Sequence, residues 1–295
     1  MIAPLPRTVV RLRLTITLPY QVGNPGGDFI FYLLAAPTDQ QTVVTESLDL
    51  GGREPRIDVD PLTANRLLRV HANPGPFTLA YQATIDLHQV WHDPTRLAEV
   101  HARDLPPAVL PYLYPSRYCP SDRLQALANT EFGNLPQGYS RVLAIRDWVR
   151  RKVRFVMNTS NSYTGAIETL TDGVGVCRDF AHLMIALCRA VNIPARFTTG
   201  IDYGADPALG PTDFHAYVEV FLGDRWWIFD PSGTAIPMGF VRLACGRDAA
   251  DAAFATIFGP VQSFRPVLTI KTALSPEGLL VEPRHRDEAL STAIV

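Results

Sequence analysis

The sequence lacks several features that would assign it to a large class of proteins. No apolar run approaches the roughly 18 residues needed to cross a bilayer, so we expect no membrane span. Basic residues (27) and acidic residues (29) nearly balance, and the net charge of −2 argues against a broad basic surface for nucleic acid. An apolar content of 47% instead predicts a globular protein with a sizeable core.

Cysteine is scarce, and its spacing excludes the common metal sites. The four cysteines are Cys119, Cys177, Cys188 and Cys245. None belongs to a C-x-x-C pair of the kind that binds zinc, and the carboxylates between residues 202 and 213 lack the spacing of a calcium loop. We therefore predict neither a metal site nor a cofactor.

The first residues do not have the pattern of an export signal. Three arginines lie among the first 13 residues, where a signal peptide would need an apolar core. The sequence therefore predicts a cytoplasmic protein whose thiols are reduced.

The first hundred residues predict antiparallel strands. Apolar residues alternate with polar ones over residues 12–18, a period of two that buries one face of a strand. The same pattern returns over 77–87, and turn-forming residues at 73–76 separate it from a strand near 67–70. Short strands with Pro and Gly between them favour a β-sandwich or a barrel, which we assign to residues 1–103.

Helices are predicted next. Residues 104–120 are rich in Pro and Tyr and predict a linker. A helix capped by Ser121 is predicted to reach about Phe132, and a second spans about 140–153. Cys177 begins a third, which Asn192 and Pro194 are expected to end.

Strands follow these helices. The period changes to two over 195–203, 214–222 and 225–230. Helices followed by a sheet are typical of an α+β domain rather than of alternating βαβ units. We place this domain at 121–262 and a C-terminal extension of strands and tail at 263–295, with the last dozen residues partly loose.

Cys177 is the strongest candidate for a nucleophile. Gly173 and Gly175 precede it and allow a tight turn into the helix that it begins. The thiolate is the reactive form of cysteine, and a helix N-terminus favours an anion. The backbone N–H of Cys177 is also a candidate oxyanion donor. The alternative is a buried structural cysteine, an interpretation that suits Cys188 on the apolar face of the same helix.

His215 and Asp230 are the candidate partners of this thiol. Residues 222–225 suit a two-residue hairpin with Gly at the first central position. Pairing 222 with 225 sets Tyr217 opposite Asp230 and places His215 on the same face, about 7–8 Å from Asp230 between backbones. An imidazole and a carboxylate can bridge that distance. The alternatives are an ordinary strand histidine and an aspartate that merely begins a turn.

Together the three side chains permit acyl transfer. The imidazole of His215 would take the thiol proton and later protonate the leaving amine. The carboxylate of Asp230 would fix the tautomer of the imidazole and support its positive form. Cys177 would attack a carbonyl carbon, and water or an amine would resolve the thioester.

Three motifs resemble one known family. They are Gly175–Met184, His215–Val220 and Trp227–Pro231, within a matched core of roughly 140–235. In combination they are similar to the bacterial transglutaminase-like superfamily, whose members are often described as cysteine proteases. The resemblance implies a papain-like α+β fold in which the cysteine, histidine and aspartate above form a catalytic triad. Residues 1–103 resemble the N-terminal β domain that many bacterial members carry.

Further residues around the cleft have weaker assignments. Tyr163, on the loop before the cysteine, together with Tyr217 and Trp226, is predicted to contact substrate. Trp226 and Trp227 alternate, so one is expected in the core and the other beside the cleft. The family's animal transglutaminases use an upstream tryptophan as an oxyanion donor, a role that we do not transfer to Trp148 on its helix stripe.

We expect structural roles for two polar residues of the third helix. The loop at 202–213 has two possible roles. Asp179 is expected to be a favourable charge at the helix N-terminus. His182 is expected to be a core histidine or to bond the linker. The loop at 202–213 forms either a wall of the cleft or a surface loop.

The sequence favours a peptidase or amidase acting on a peptide or protein amide. Amine transfer by a protein-glutamine transamidase is the first alternative, and it ranks lower because nothing specifies a site for an amine or for calcium. Acyl transfer to a non-peptide amine and a non-enzymatic interaction module are the others. The predicted partners include no nucleic acid and no membrane, and the oligomeric state stays open.

Overall fold

The structure is a computed structural model that describes residues 9–201, 203–205, 208 and 211–294. Its first nine strands are β1 Val9–Val22, β2 Gly27–Phe31, β3 Gln41–Asp49, β4 Arg56–Val59, β5 Arg66–Ala72, β6 Gly75–His88, β7 Val90–His92, β8 Arg154–Phe155 and β9 Val174–Gly175. The others are β10 Ala195–Ile201, β11 Phe214–Leu222, β12 Arg225–Phe229, β13 Ala244–Gly246, β14 Ala255–Phe258, β15 Val261–Ser263, β16 Val267–Ala273 and β17 Ala289–Ile294. The α-helices are α1 Gln125–Phe132, α2 Tyr139–Lys152, α3 Ala166–Asp172 and α4 Cys177–Ala190.

Two antiparallel sheets share one core and form a sandwich. The first has the order β15-β1-β6-β3, with β16 also on β1, and the second has the order β14-β2-β5-β4. Every second side chain of β1 is buried from Val10 to Val22, as the alternation predicts. Rings from both sheets pack with centroids 5.0 to 6.1 Å apart: Tyr20, Phe29, Phe31 and Phe77. Each such buried side chain contributes about 1.5–3 kcal/mol.

The strands of the sandwich and those of the helical half come from separate parts of the chain. This arrangement differs from the predicted domain boundaries after residues 103, 120 and 262. Strands β14, β15 and β16 pair within the sandwich, although they lie near the end of the chain. Conversely β7 joins the sheet of the helical half. The reason is that β1 pairs along both edges, with β6 on one side and with β15 and β16 on the other. Late strands thus cover an edge that would otherwise be open.

The second half packs helices on a six-stranded antiparallel sheet. The sheet has the order β13-β10-β11-β12-β17-β7. Helix α4 lies against α1, α2 and α3 as well as β10 and β11, and from Asp179 to Ala190 it is buried on all sides. This confirms the α+β order of the sequence analysis. The predicted N-cap at Ser121 is wrong, because residues 121–124 form a 3₁₀ turn and α1 begins only at Gln125.

The β11–β12 hairpin has the register expected from its turn. Leu222 pairs with Arg225 and Val218 pairs with Phe229. Gly223 has a φ of 64°, and Asp224 has no positive φ, as a turn of type II′ requires. The even-numbered residues of β11 from Ala216 onward face α4, so Tyr217 and His215 belong to the opposite face.

The end of the chain is more ordered than its polarity suggests. Strand β17 lies between β12 and β7, where Ala289 and Leu290 are buried. The expectation of a loose tail is therefore wrong for residues 289–294, because the sheet would otherwise leave the edge of β12 unpaired. Strand β16 and a bridge between Leu274 and Leu280 occupy the first part of the predicted C-terminal extension.

A buried arginine fixes the C-terminal end of α4. The guanidinium of Arg189 donates to the carbonyl of Ala195 at 2.8 and 3.0 Å and to that of Arg247 at 2.6 Å. It also donates to the carbonyl of Tyr114 at 3.1 Å and to the hydroxyl of Ser116 at 3.0 Å. A cation at a helix C-terminus is favourable, and here it also connects the linker to β10.

Within the residues that the structure describes, no helix combines the length and the apolar character that a bilayer crossing would need.

We predict that Arg189→Met lowers the free energy of unfolding by at least about 3 kcal/mol, because several buried carbonyls lose a charged donor. Urea unfolding measures this loss. The matched control is Arg151→Met, an exposed position on α2, which should change stability by no more than about 0.5 kcal/mol. Equal losses in the two variants would show that the Arg189 contacts stabilise nothing.

Candidate active site

The chain reaches Cys177 through a tightly packed turn. Gly173 has a φ of 65° and ends α3, and β9 pairs in parallel with β8 immediately before the helix. A Cβ on Gly175 would lie 2.8 Å from the Cβ of Asp179, so only glycine leaves room for that carboxylate. Gly173 therefore has the turn role that the sequence analysis gave it, whereas Gly175 provides space for the Asp179 side chain.

Asp179 organises the N-terminal turn of α4. Its Oδ2 accepts from the backbone N–H of Val176 at 2.9 Å, and its Oδ1 accepts from the hydroxyl of Ser160 at 2.9 Å. Arg178 donates to the same hydroxyl and to the carbonyl of Asn161, both at 2.6 Å. The fully buried Asp179 is thus the negative charge expected at this helix end, and it also fixes the loop before the cysteine.

His215 and Asp230 meet where their strands begin and end. His215 is the second residue of β11, and Asp230 directly follows β12. The Nε2 of His215 lies 3.3 Å from Oδ1 of Asp230, although its N–H does not point straight at that oxygen. Both side chains are more than nine-tenths buried. With Nε2 turned to the carboxylate, Nδ1 is the ring nitrogen left for the thiol.

Cys177 is the third member of this group. Its thiol lies beside the His215 imidazole, close enough to raise the pKa of that ring. Cys177 is the first residue of α4 and is partly exposed, whereas the other three cysteines are buried. None of the four forms a disulfide. Burial raises the pKa of Cys119 to about 12 and raises that of Cys188 further, so these thiols stay protonated. Only Cys177 combines access with a basic neighbour.

The electrostatics of the group favour a charged histidine. Burial alone would lower the pKa of His215, but the adjacent Asp230 carboxylate and the Cys177 thiol outweigh it and raise the pKa to about 10. Burial alone would raise the pKa of Asp230, but His215 and hydrogen bonds from Ser232 and Ala235 bring it to about 2. At neutral pH the site therefore holds an imidazolium beside a carboxylate.

Ser232 and Ala235 are members of the site that sequence reasoning missed. The hydroxyl of Ser232 donates to Oδ1 of Asp230 at 2.6 Å and its backbone N–H donates at 3.0 Å. The backbone N–H of Ala235 donates to Oδ2 at 3.0 Å. The signal was present in the sequence, because an aspartate two residues before a serine commonly accepts from that backbone N–H in a turn.

The structure does not bring the three predicted substrate contacts together. Tyr163 is 84% exposed on its loop and has surface to offer a ligand. Tyr217 is fully buried, and its ring packs edge-on against His215 with centroids 4.5 Å apart. Tyr217 therefore has no exposed surface, which differs from the expectation, and it instead supports the imidazole.

Trp226 lies in a separate core cluster. Its ring is buried with the guanidinium of Arg196 4.1 Å from the ring centroid and with Tyr112 at 5.2 Å. Trp227 is buried on the face that packs against α4, where its Nε1 donates to the carbonyl of Leu222 at 3.0 Å. Because β12 is covered on both faces, neither tryptophan borders an opening, contrary to the expected alternation between core and cleft.

His182 is a neutral core residue. It is buried and stacks on Tyr118 of the linker with ring centroids 5.0 Å apart. Its Nε2 accepts from the backbone N–H of Ala249 at 3.2 Å. Burial holds its pKa well below the usual value, and Arg178 and Arg189 add to that effect. The core interpretation of His182 therefore applies, whereas its contact with the linker is ring stacking and its hydrogen bond is to Ala249.

Two further expectations concern metals and the loop at 202–213. Across the described residues, no three or more His, Cys, Asp or Glu side chains are grouped to hold a metal ion. Asp202 and Asp206 lie outside the described residues, as do Pro207 and Gly210. The choice between a cleft wall and a surface loop therefore stays a prediction.

Comparison with known proteins identifies a family and a solved structure that matches nearly all of this chain. The profile of the transglutaminase-like superfamily matches residues 125–231. A crystal structure of "a Putative Cysteine Protease from Cytophaga hutchinsonii" is 38% identical and has a TM-score of 0.88, and the match covers 96% of this chain and 98% of that one.

Two other matches are more distant. An uncharacterized protein of Mycobacterium leprae is 28% identical over 146 residues, which are 48% of this chain and 52% of that protein. This chain thus spans about half the length of the curated relative that it matches. The periplasmic domain of TgpA from Pseudomonas aeruginosa is 16% identical with a TM-score of 0.38, over 77% of this chain and 91% of that one.

We predict that the ion pair makes stability depend on pH. A histidine whose pKa is raised on folding contributes stability that is complete below its unfolded pKa and is lost as the pH rises through its folded pKa. In a Cys177→Ala background only Asp230 still raises the pKa of His215, so its folded pKa lies below the value of about 10 in the native protein. The free energy of unfolding should fall as the pH rises from about 6.5 to that lower folded pKa, by up to about 1.4 kcal/mol per pH unit.

Urea unfolding across this pH range measures the effect. The matched control is the Cys177→Ala, His215→Gln double variant, which has no imidazole at this position and should lose that slope. An identical pH profile in the two proteins would show that His215 does not titrate as the geometry requires.

Proposed function

This chain belongs to the transglutaminase-like superfamily, and we propose that it is a cysteine-dependent enzyme that hydrolyses amide bonds through a thioester. The fold and the full-length match to a protein named as a cysteine protease support a cysteine enzyme in general. The finer proposal, a papain-like arrangement with a Cys177–His215–Asp230 triad, rests on the local geometry.

One observation carries the proposal: an accessible thiol at a helix start faces a buried imidazole that is itself paired with a buried carboxylate. The carboxylate of Asp230 is held from three directions by the Ser232 hydroxyl, the Ser232 N–H and the Ala235 N–H. Two buried charges are costly unless they are paired and hydrogen-bonded. Such an arrangement is common at sites where proton transfer is required.

The proposed steps follow from the positions of the atoms. In the resting site the proton of the Cys177 sulfur has passed to Nδ1 of His215, and the resulting imidazolium stabilises the thiolate. The thiolate attacks the amide carbon, and the imidazolium then protonates the leaving nitrogen. Water, deprotonated by the neutral imidazole, attacks the thioester, which releases the acid and restores the thiolate beside the imidazolium.

The position of Cys177 also suits the charge that develops on the substrate. As the first residue of α4, its backbone N–H has no carbonyl partner within the helix. That N–H is the proposed donor to the oxyanion of the tetrahedral intermediate. The backbone N–H of Val176 already donates to the carboxylate of Asp179, so this N–H does not serve as the second oxyanion donor.

Hydrolysis is preferred over amine transfer. Across the described residues no cluster of carboxylates is suited to calcium, and no observation favours an amine over water. The interaction-module alternative is disfavoured by the electrostatics, since a scaffold has no need for a buried imidazolium beside a thiol. We further propose a peptide or protein amide as the substrate and the cytoplasm as the compartment, where four unpaired cysteines would persist.

We predict that Cys177→Ala abolishes turnover of a fluorogenic peptide-amide library while preserving the fold. In the native protein, iodoacetamide should label Cys177 and leave the three buried cysteines unmodified, as peptide mass spectrometry can test. An unreactive Cys177 would favour the interaction module. Acyl transfer to an added amine that exceeds hydrolysis would favour the transamidase.

We predict that Ser232→Ala lowers kcat by about tenfold with little change in KM, because Asp230 loses one charge-assisted hydrogen bond and orients the imidazole less well. Ser232→Thr keeps the hydroxyl and should restore the rate. The pH profile of kcat provides the second readout, since the pKa of Asp230 rises when this donor is removed. Equal rates for Ser232→Ala and the native enzyme would contradict a positioning role.

A further inference from the structure

A cavity of about 360 Å³ has Asp230 among its lining residues. Neither Cys177 nor His215 lines it, so it is distinct from the place where the thiol would meet a carbonyl. Its walls come from α2, from the loop after β12 and from the segment before β17. Its size is that of a small-molecule or peptide subsite.

The cavity has an excess of positive charge. Its cationic residues are Arg146, Arg150, Arg284 and Arg286. Its acidic residues are Asp230 and Glu288, so four positive charges face two negative ones and the formal balance is +2 with His285 neutral. Asp230 is in turn neutralised by His215, which makes the local excess larger.

Two of these arginines have no carboxylate partner. Arg146 pairs with Asp147 at 2.7 Å, and Arg286 pairs with Glu288. Within the residues that the structure describes, no ion pair is formed by Arg150 or Arg284. Their guanidinium groups are therefore available for an anion, and a planar guanidinium matches a carboxylate with two parallel hydrogen bonds.

Arg150 reaches across the cavity toward the loop that holds Asp230. A Cβ on Gly233 would lie 2.2 Å from its Nη2, so the guanidinium rests directly on this glycine. Gly233 follows Ser232 and precedes Ala235, the two residues that fix Asp230. An anion bound to Arg150 would therefore lie next to Ser232 and Ala235, which hold the carboxylate of Asp230 in place.

The remaining wall is apolar. Ile228, Met238 and Leu290 line it, and the ring of Trp91 lies under the guanidinium of Arg286 at 4.7 Å. The indole Nε1 of Trp91 is buried without an acceptor among the described residues. The cavity thus combines surplus donors with hydrocarbon surface, which suits an organic molecule with one charged end.

We propose that this cavity is a binding site for the carboxylate end of a ligand, held by Arg150 and Arg284 with the ligand's apolar part against the wall opposite. Two sources have this chemistry: a carboxylate of the amide substrate, and a free organic acid that acts as an effector. The substrate version rests on the proposed hydrolase function, whereas the binding itself does not.

The binding test uses the full-length Cys177→Ala protein, which should not turn over. Calorimetric titration compares an N-acetylated tripeptide acid with the corresponding tripeptide amide, and succinate with succinamide. Each acid should bind more tightly than its amide, and Arg150→Gln with Arg284→Gln should weaken acid binding about tenfold or more. Both arginines are exposed, so the double variant should keep its fold.

The matched control is Arg151→Gln, which removes an exposed arginine adjacent to Arg150 on α2 but outside the cavity lining. It should bind the acids as the parent protein does. Equal binding of acid and amide, equal weakening by the control, or no saturable binding of any probe would each overturn the proposal.

Kinetics with the native enzyme separate the two sources. A substrate carboxylate predicts a lower KM for peptide acids than for peptide amides, and this difference in KM should disappear in the Arg150→Gln, Arg284→Gln variant. A free effector instead predicts that succinate changes the turnover of neutral substrates. If no peptide is hydrolysed, the proposed function fails while the calorimetric result still decides the binding site.

Discussion

The buried pairing of His215 with Asp230 is the constraint around which this half of the molecule is organised. An imidazolium and a carboxylate, both more than nine-tenths buried, would each be costly without a partner. Their mutual attraction, three donors to Asp230 and the thiol of Cys177 offset that cost. The hairpin register, the turn after β12 and the beginning of α4 all serve this one contact.

Much of that arrangement was predictable because it depends on local chemistry. A glycine at the first central position of a two-residue turn fixes the register of β11 and β12, and the register alone places His215, Tyr217 and Asp230 on one face. The start of α4 was equally visible, since Gly173, Gly175 and Asp179 are residues that a tight turn and a helix N-terminus require.

What sequence could not provide depends on long-range packing. Trp226 and Tyr217 both belong to strands covered on two faces, and no local pattern indicates which second layer covers them. The same holds for the cationic cavity, whose arginines come from residues 146–150 and 284–286, far apart in the chain. Strands β14, β15 and β16 were divided between the 121–262 domain and a separate extension for the same reason, because their partners are β1 and β2.

That interleaving bears on how the molecule reaches its native state. Thr15 of β1 meets Thr269 of β16, two residues 254 positions apart, while β6 takes the other edge of the same strand. Pairings of such high contact order form slowly, since a long loop must close before the contact forms. During synthesis β1 leaves the ribosome before β16, so one of its edges stays unpaired until residues 254 positions further along the chain have been made. Until those residues are made, the unpaired edge of β1 can form hydrogen bonds with a strand of another molecule. Folding and aggregation therefore compete at this strand.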